Sequence, residues 1–77
     1  MEAAAAYQEF RRLKATLPFQ PFVVETVDGK NFQINRRSGF AAGKQSVVLG
    51  DADARGHVYR LADVTNIRAS EKPPVAS

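Results

Sequence analysis

Residues 24–35, VETVDGKNFQIN, place an Asp-Gly pair between two segments of alternating apolar and polar residues, which is typical of a β-hairpin. A two-residue turn at Asp-Gly would mix charged and apolar side chains on both faces of the hairpin. A three-residue turn pairs Val24 with Phe32 and keeps one face apolar. Because a buried face specifies strand register, the sequence predicts this longer turn, a type I turn followed by Gly29 in a left-handed bulge.

A helix is predicted at residues 3–17, ahead of the hairpin. Tyr7, Phe10 and Leu13 recur at three-residue steps and form part of an apolar stripe along one face. Pro18 ends the helix, because the residue before a proline is disfavoured in helical geometry.

Five short strands are predicted after the helix, and the residues between the second and third strands are predicted to form a loop. The strands are expected at 22–27, 30–36, 46–50, 57–61 and 64–69. Five short strands cannot cover both faces of a flat sheet, so the predicted class is α+β, mainly β. We expect one domain, residues 1–69, with a strongly bent antiparallel barrel capped by the helix, and a disordered tail at 70–77.

The predicted core follows the apolar positions of these elements. It comprises Phe10, Leu13, Phe22, Val24, Phe32, Ile34, Val48, Val58, Val64 and Ile67.

Composition limits the possible classes of protein. The 77 residues contain no cysteine and no apolar segment near the ~20 residues of a membrane span. Glu2 precedes the N-terminal alanine run, whereas a secretory signal begins with positive charge, so a cytoplasmic location is expected. The net charge of +3 permits an anionic partner, but the eight acidic residues lie among the eleven basic ones, as in an ordinary soluble protein.

Catalytic and metal-binding residues are few. His57 is the single histidine, and no spacing of serines around it indicates a nucleophile with its base. The stretch DADARGH, residues 51–57, resembles the start of a calcium loop. However, Arg55 and Ala62 stand at positions five and twelve, where oxygen ligands are needed. The sequence therefore predicts no enzyme, no metal site and no cofactor.

The loop RRSGFAAGK is the candidate ligand-binding segment. Arg36, Arg37 and Lys44 flank Phe40, and basic side chains around an exposed aromatic ring are typical of sites that bind single-stranded nucleic acid. In this hypothesis Arg36 and Arg37 contact phosphates, Phe40 stacks on a base, and Lys44 and Arg60 close the site. In the alternative, Phe40 closes the end of the barrel and the charges are simply solvated.

Three motifs resemble the Sm-like family. The first hairpin reads V-x-x-x-D-G-K-x-F-x-I from Val24, residues 46–51 read SVVLGD, and residues 59–67 read YRLADVTNI. In the last motif Arg60, Val64 and Ile67 match family positions. The resemblance covers about residues 1–69. It implies an Sm-like barrel, ring assembly through pairing of the fourth strand with the fifth strand of the next copy, and binding of single-stranded RNA.

The chain departs from the family at the residues that form the RNA site. Ser46 stands where the family has a uracil-reading asparagine, and Leu61 stands where it has a glycine. The loop before the third strand lacks the family's aspartate. The segments LPFQPFVV and LADVTNI are also similar to small uncharacterised bacterial proteins, to which no activity is attached.

Two functional hypotheses remain open at this point. The first is a non-enzymatic binding module for single-stranded RNA or another anionic ligand. The alternative is a protein-interaction adaptor that acts through strand edges or the helix, by self-association or with a protein partner. Neither involves a membrane.

Overall fold

The computed structural model describes residues 1–51, 53 and 55–70. It consists of one α-helix, six strands and two 3-10 helices. In chain order these are α1 (Ala3–Ala15), β1 (Phe22–Thr26), β2 (Asn31–Ile34), η1 (Arg37–Gly39), β3 (Phe40–Ala42), β4 (Ser46–Gly50), β5 (Gly56–Arg60), η2 (Leu61–Asp63) and β6 (Val64–Ala69). No helix within the described ranges is long and apolar enough to cross a membrane.

Helix α1 buries part of the predicted stripe, with Ala6, Phe10 and Leu13 in the core and Tyr7 partly buried against it, whereas Leu17 lies beyond the helix and is exposed. It ends at Ala15, short of the predicted residue 17, because Thr16 already has extended backbone angles. The chain must leave helical geometry before Pro18, and it does so one residue earlier than the proline alone requires.

The first hairpin has the predicted register. Val24 lies opposite Phe32 and Phe22 opposite Ile34. Gly29 has a φ of 81°, and its N–H donates to the carbonyl of Thr26 at 3.0 Å across the turn. Both the three-residue turn and the left-handed glycine are therefore confirmed.

The strands form two antiparallel sheets of three strands each, in the orders β2-β1-β6 and β3-β4-β5. The predicted α+β class with an N-terminal helix is confirmed, but the prediction of five strands is wrong by one. Strand β3, Phe40–Ala42, lies within the segment expected to be a loop. The pairings among the described residues do not close a barrel, so the Sm-like barrel stays a prediction.

The core contains most of the predicted residues but takes the opposite face of β4. Val47 and Leu49 are fully buried, whereas Val48 is 39% exposed. Val58 is directly opposite Val48 in the sheet and is 72% exposed. The predicted burial of Val48 and Val58 is therefore wrong, and Ile67 is only partly buried.

The physical reason lies in the apolar run of β4, where side chains on either face are hydrophobic. Alternation alone does not choose between the two faces in such a run. The choice follows from the neighbouring strand, because Phe40 of β3 lies opposite Leu49 and the two point into the core together.

The end of the described chain is held against the first sheet. The N–H of Ser70 donates to the carbonyl of Pro21 at 3.1 Å, and its hydroxyl accepts from the Gln33 side chain at 2.7 Å. The rest of the predicted disordered tail lies outside the described residues.

Candidate functional site

The predicted nucleic-acid loop folds into η1, β3 and the turn that leads to β4. Phe40, the residue expected to stack on a base, is 3% exposed. Its ring meets Phe22 edge-on at 5.1 Å and Phe10 at 5.8 Å between centroids. A base can reach this ring only if the core opens, so Phe40 is not available as an exposed stacking residue in this structure.

Lys14 of α1 covers the remaining side of the Phe40 ring. Its Nζ lies 4.3 Å from the ring centroid and donates to the backbone carbonyls of Arg37 and Phe40, both at 2.7 Å. A cation over an aromatic face is attracted by the negative potential of the ring. This ammonium therefore fixes the loop to the helix and leaves no gap over the ring for a base.

Arg37 also points into the protein rather than to solvent. Its Nε donates to the carbonyl of Lys14 at 2.7 Å, and its Nη2 donates to the carbonyl of Thr16 at 2.8 Å. The last carbonyls of a helix have no partner within it, and a basic side chain satisfies them. Arg37 thus holds the C-terminal end of α1.

The other three predicted site residues are exposed, and none forms an ion pair within the described part of the chain. Ser46 pairs with Arg60, so Arg60 lies at the end of the second sheet where Lys44 sits in the β3–β4 turn. Arg36 precedes η1, at the opposite end of β3. The structure therefore separates the five residues. Phe40 is buried, Arg37 is partly buried at the helix end, Lys44 and Arg60 share one end of the second sheet, and Arg36 lies apart from them.

A histidine–aspartate pair lies at the β4–β5 turn. Nε2 of His57 is 2.8 Å from Oδ2 of Asp51, and Oδ1 of Asp51 accepts the backbone N–H groups of Asp53 and Arg55, each at 2.9 Å. The His57 hydrogen bond, followed by these backbone bonds, lowers the pKa of Asp51 from 3.8 to about 2. The hydrogen bonds of this pair join the two ends of the β4–β5 turn.

A different side-chain hydrogen bond connects the two sheets. The hydroxyl of Tyr59 on β5 donates to Oδ2 of Asp28 in the β1–β2 turn at 2.9 Å. Thr26 donates to the other oxygen of the same carboxylate. The bond from Thr26 is the main cause that lowers the pKa of Asp28, while partial burial is the main cause that raises the pKa of Tyr59.

The exposure of Val58 at the outer edge of β5 is the surface feature that sequence reasoning missed, because the sequence predicts Val58 in the core. Strand β5 pairs only with β4 among the described strands. The N–H of Asp51 donates to the carbonyl of Arg55 at 3.0 Å, so the alternating pattern points the backbone groups of His57 and Tyr59 towards β4. Those of Gly56, Val58 and Arg60 therefore point to the free edge.

An apolar row crosses the outer face of the same sheet. Ala41 lies opposite Val48, and Val48 lies opposite Val58, with all three side chains exposed. Alternation along β4 and β5 predicts this row once the inward face of β4 is known. The sequence alone does not identify that face.

Comparisons of the chain with protein-family models, with curated proteins and with solved structures gave no match.

Proposed function

We propose that this chain is a small non-enzymatic interaction module that self-associates through the free edge of β5. The observation that carries the proposal is the 72% exposure of Val58 on an unpaired edge strand. Soluble proteins usually protect such edges with lysine, proline or a bulge. The sequence of β5, GHVYR, contains neither lysine nor proline, and its register with β4 is regular.

The occupant of this edge is a second copy of the chain. A copy that adds a strand to β5 supplies partners for the outward backbone groups of Val58 and Arg60 and covers the Val58 side chain. For a chain of 77 residues, whose own core is small, burial at an interface adds a large fraction to its stability.

The Sm-like resemblance suggests which strand of the second copy pairs with β5. In that family the fourth strand pairs with the fifth strand of the next subunit, and the corresponding strands here are β5 and β6. Both are edge strands, which supports an Sm-like arrangement of this chain. Three residues of β6 are exposed and polar, namely Thr65, Asn66 and Arg68. Pairing of β6 with β5 of a second copy would place these side chains next to the apolar Val58.

Single-stranded RNA or another anionic ligand is the second candidate. It is favoured by the exposure of Arg36, Lys44 and Arg60 without an ion pair in the described part of the chain. With Phe40 buried, binding would depend on phosphate contacts and would fall steeply with salt.

Static light scattering from about 1 to 100 micromolar, combined with filter binding to a uridine oligomer at low and moderate salt, tests the two candidates. Self-association predicts a mass that rises with concentration above the 8.4 kDa of one chain, and no salt-sensitive RNA binding. A constant mass of one chain contradicts the proposal. Strong RNA binding by that single chain would favour the second candidate.

A further inference from the structure

A groove of about 840 Å³ lies between β2 and the outer face of the second sheet. This volume lies within the range of about 300–1,000 Å³ that is common for binding sites. Strand β2 forms one wall, and Ala41, Val48 and Gly56 lie on the other side. We name this cavity the β2 groove.

The wall formed by β2 exposes unpaired backbone groups. Thr26 donates its N–H to the carbonyl of Lys30 at 3.0 Å, so the alternating pattern directs the N–H and C=O groups of Phe32 and Ile34 towards β1. The backbone groups of Asn31 and Gln33 consequently point away from β1. Strand β2 has no second neighbour among the described strands, so these groups lie on a free edge that faces the groove.

The electrostatic character of the groove is positive. Arg36 and Arg55 line it, are both exposed, and have no ion pair within the described residues. Asp51 also lines it and is ionised near neutral pH, because hydrogen bonds from His57 and from backbone N–H groups lower its pKa to about 2. The two arginines outnumber this one carboxylate, so the lining keeps a net positive charge that attracts an anionic ligand.

We infer that the β2 groove binds an acidic peptide segment of a protein partner in extended conformation. The segment adds a strand to β2 by bonding to the backbone of Asn31 and Gln33, as in other proteins that capture peptides by strand addition. Its carboxylates lie near Arg36 and Arg55. Small apolar side chains on its other face contact Ala41 and Val48.

An extended peptide fits this site better than a nucleic acid does. The groove offers a row of backbone donors and acceptors with strand spacing, which matches a peptide backbone. The aromatic rings at its base, Phe32 and Phe40, are buried, so they give no stacking surface for bases. The groove reaches β5 at Gly56 but does not include Val58, and the strand edge that it offers belongs to β2, so it extends the proposed function without depending on it.

A fluorescent peptide of four Glu-Val repeats tests the inference by anisotropy with the full chain. We expect saturable binding. N-methylation of alternate peptide nitrogens, which keeps the charge and removes strand pairing, should weaken binding at least about tenfold. A Lys-Val peptide and a uridine octamer should bind more weakly than the Glu-Val peptide.

Two sets of variants, each with its own control, locate the site. Arg36→Glu and Arg55→Glu should each weaken binding at least about fivefold, because they place a like charge beside the peptide. Lys44→Glu makes the same change of net charge outside the groove and should change binding less than about twofold.

Asn31→Pro removes one outward N–H on an edge strand, where proline is tolerated, and should abolish strand addition. Asn31→Ala keeps that N–H and should bind the peptide normally.

Several outcomes would overturn the inference. If the N-methylated peptide binds as well as the unmodified peptide, the segment does not bind by strand addition. If Lys44→Glu and Arg36→Glu weaken binding equally, the effect of the arginine variants is one of net charge only. Tighter binding of the uridine octamer, lost in the same arginine variants, would make the groove a nucleic-acid site. If Asn31→Pro does not fold, the arginine variants and the N-methylated peptide still decide. Repeating the titration with Val58→Lys separates failure of this site from failure of self-association.

Discussion

Lys14 and Arg37 each donate a side-chain hydrogen bond to the backbone carbonyl of the other, and both bonds measure 2.7 Å. This exchange joins the last turn of α1 to η1 and directs two basic side chains inward. Arg37 was a candidate phosphate ligand, and its geometry shows instead how the loop before β3 is held on the helix.

Arg37→Met should lower the free energy of unfolding by about 1–3 kcal/mol, because it leaves part-buried helix carbonyls without their charged donor. Arg36→Met is the matched control. Arg36 is exposed and makes no side-chain bond within the described residues, so its replacement should change stability by less than about 0.5 kcal/mol. Urea denaturation measures both. Equal losses for the two variants would contradict the role of Arg37 at the helix end.

Phe40→Ala should destabilise the protein by about 3–5 kcal/mol, the usual cost of truncating a buried aromatic side chain. Phe40 is 3% exposed and contacts three other phenylalanine rings, Phe10, Phe19 and Phe22. Phe19→Ala is a useful comparison, since that ring is only partly buried and should cost less. Denaturation curves of the two variants decide this, and a smaller loss for Phe40→Ala would show that its ring is not central to the core.

The contrast between Phe40 and the hairpin shows what the sequence could predict. The hairpin register follows from local alternation, because only one turn length gives an apolar face. The burial of Phe40 depends on Leu49 of the next strand and on Lys14 of α1, which contact it only after folding. A three-residue strand between two glycines also carries too little pattern to distinguish it from a loop.

The position of Arg37 was unpredictable for a similar reason. Its hydrogen bonds require the carbonyls of Lys14 and Thr16, and these are free only because α1 ends at Ala15. Helix ends are difficult to place from sequence. In β4, the run of consecutive apolar residues does not reveal the inward face, and for this reason the sequence predicts burial for Val48 and Val58.

Gly29→Ala should reduce stability by about 1 kcal/mol, because a Cβ is disfavoured at a φ of 81°. An added Cβ would meet no atom within 4 Å, so the whole cost is conformational. Gly43→Ala is the control, because its nearest neighbour would be the Ser46 carbonyl oxygen at 3.7 Å, an ordinary contact, and it has no positive φ. Thermal unfolding of both variants measures this, and an equal effect at Gly43 would refute the conformational explanation.

Asp51 should make the stability of the β4–β5 turn depend on pH in the acid range. Its pKa falls from 3.8 to about 2 on folding, chiefly through the bond from His57. A depressed carboxylate pKa stabilises the fold fully above the unfolded value, and this stabilisation disappears as pH falls through the folded value. The stability difference between the wild type and Asp51→Asn should therefore shrink as pH falls from about 4 to about 2.

Asp53→Asn is the matched control for this pH profile. It removes a charge from the same turn but no side-chain hydrogen bond within the described residues. The stability difference between Asp53→Asn and the wild type should change less with pH over the same range. The same curve for Asp51→Asn and Asp53→Asn would show that net charge, and not the bond to His57, determines the acid sensitivity.

Sedimentation equilibrium of the wild type, Val58→Lys and Val27→Lys tests self-association through β5 most directly. Val58 and Val27 are 72% and 61% exposed, but only Val58 lies on a free strand edge, where lysine blocks pairing. The account predicts that the wild type and Val27→Lys associate at tens of micromolar, while Val58→Lys sediments as a single chain of 8.4 kDa. A wild type that remains at that mass, or a Val58→Lys variant that associates as the wild type does, would contradict it.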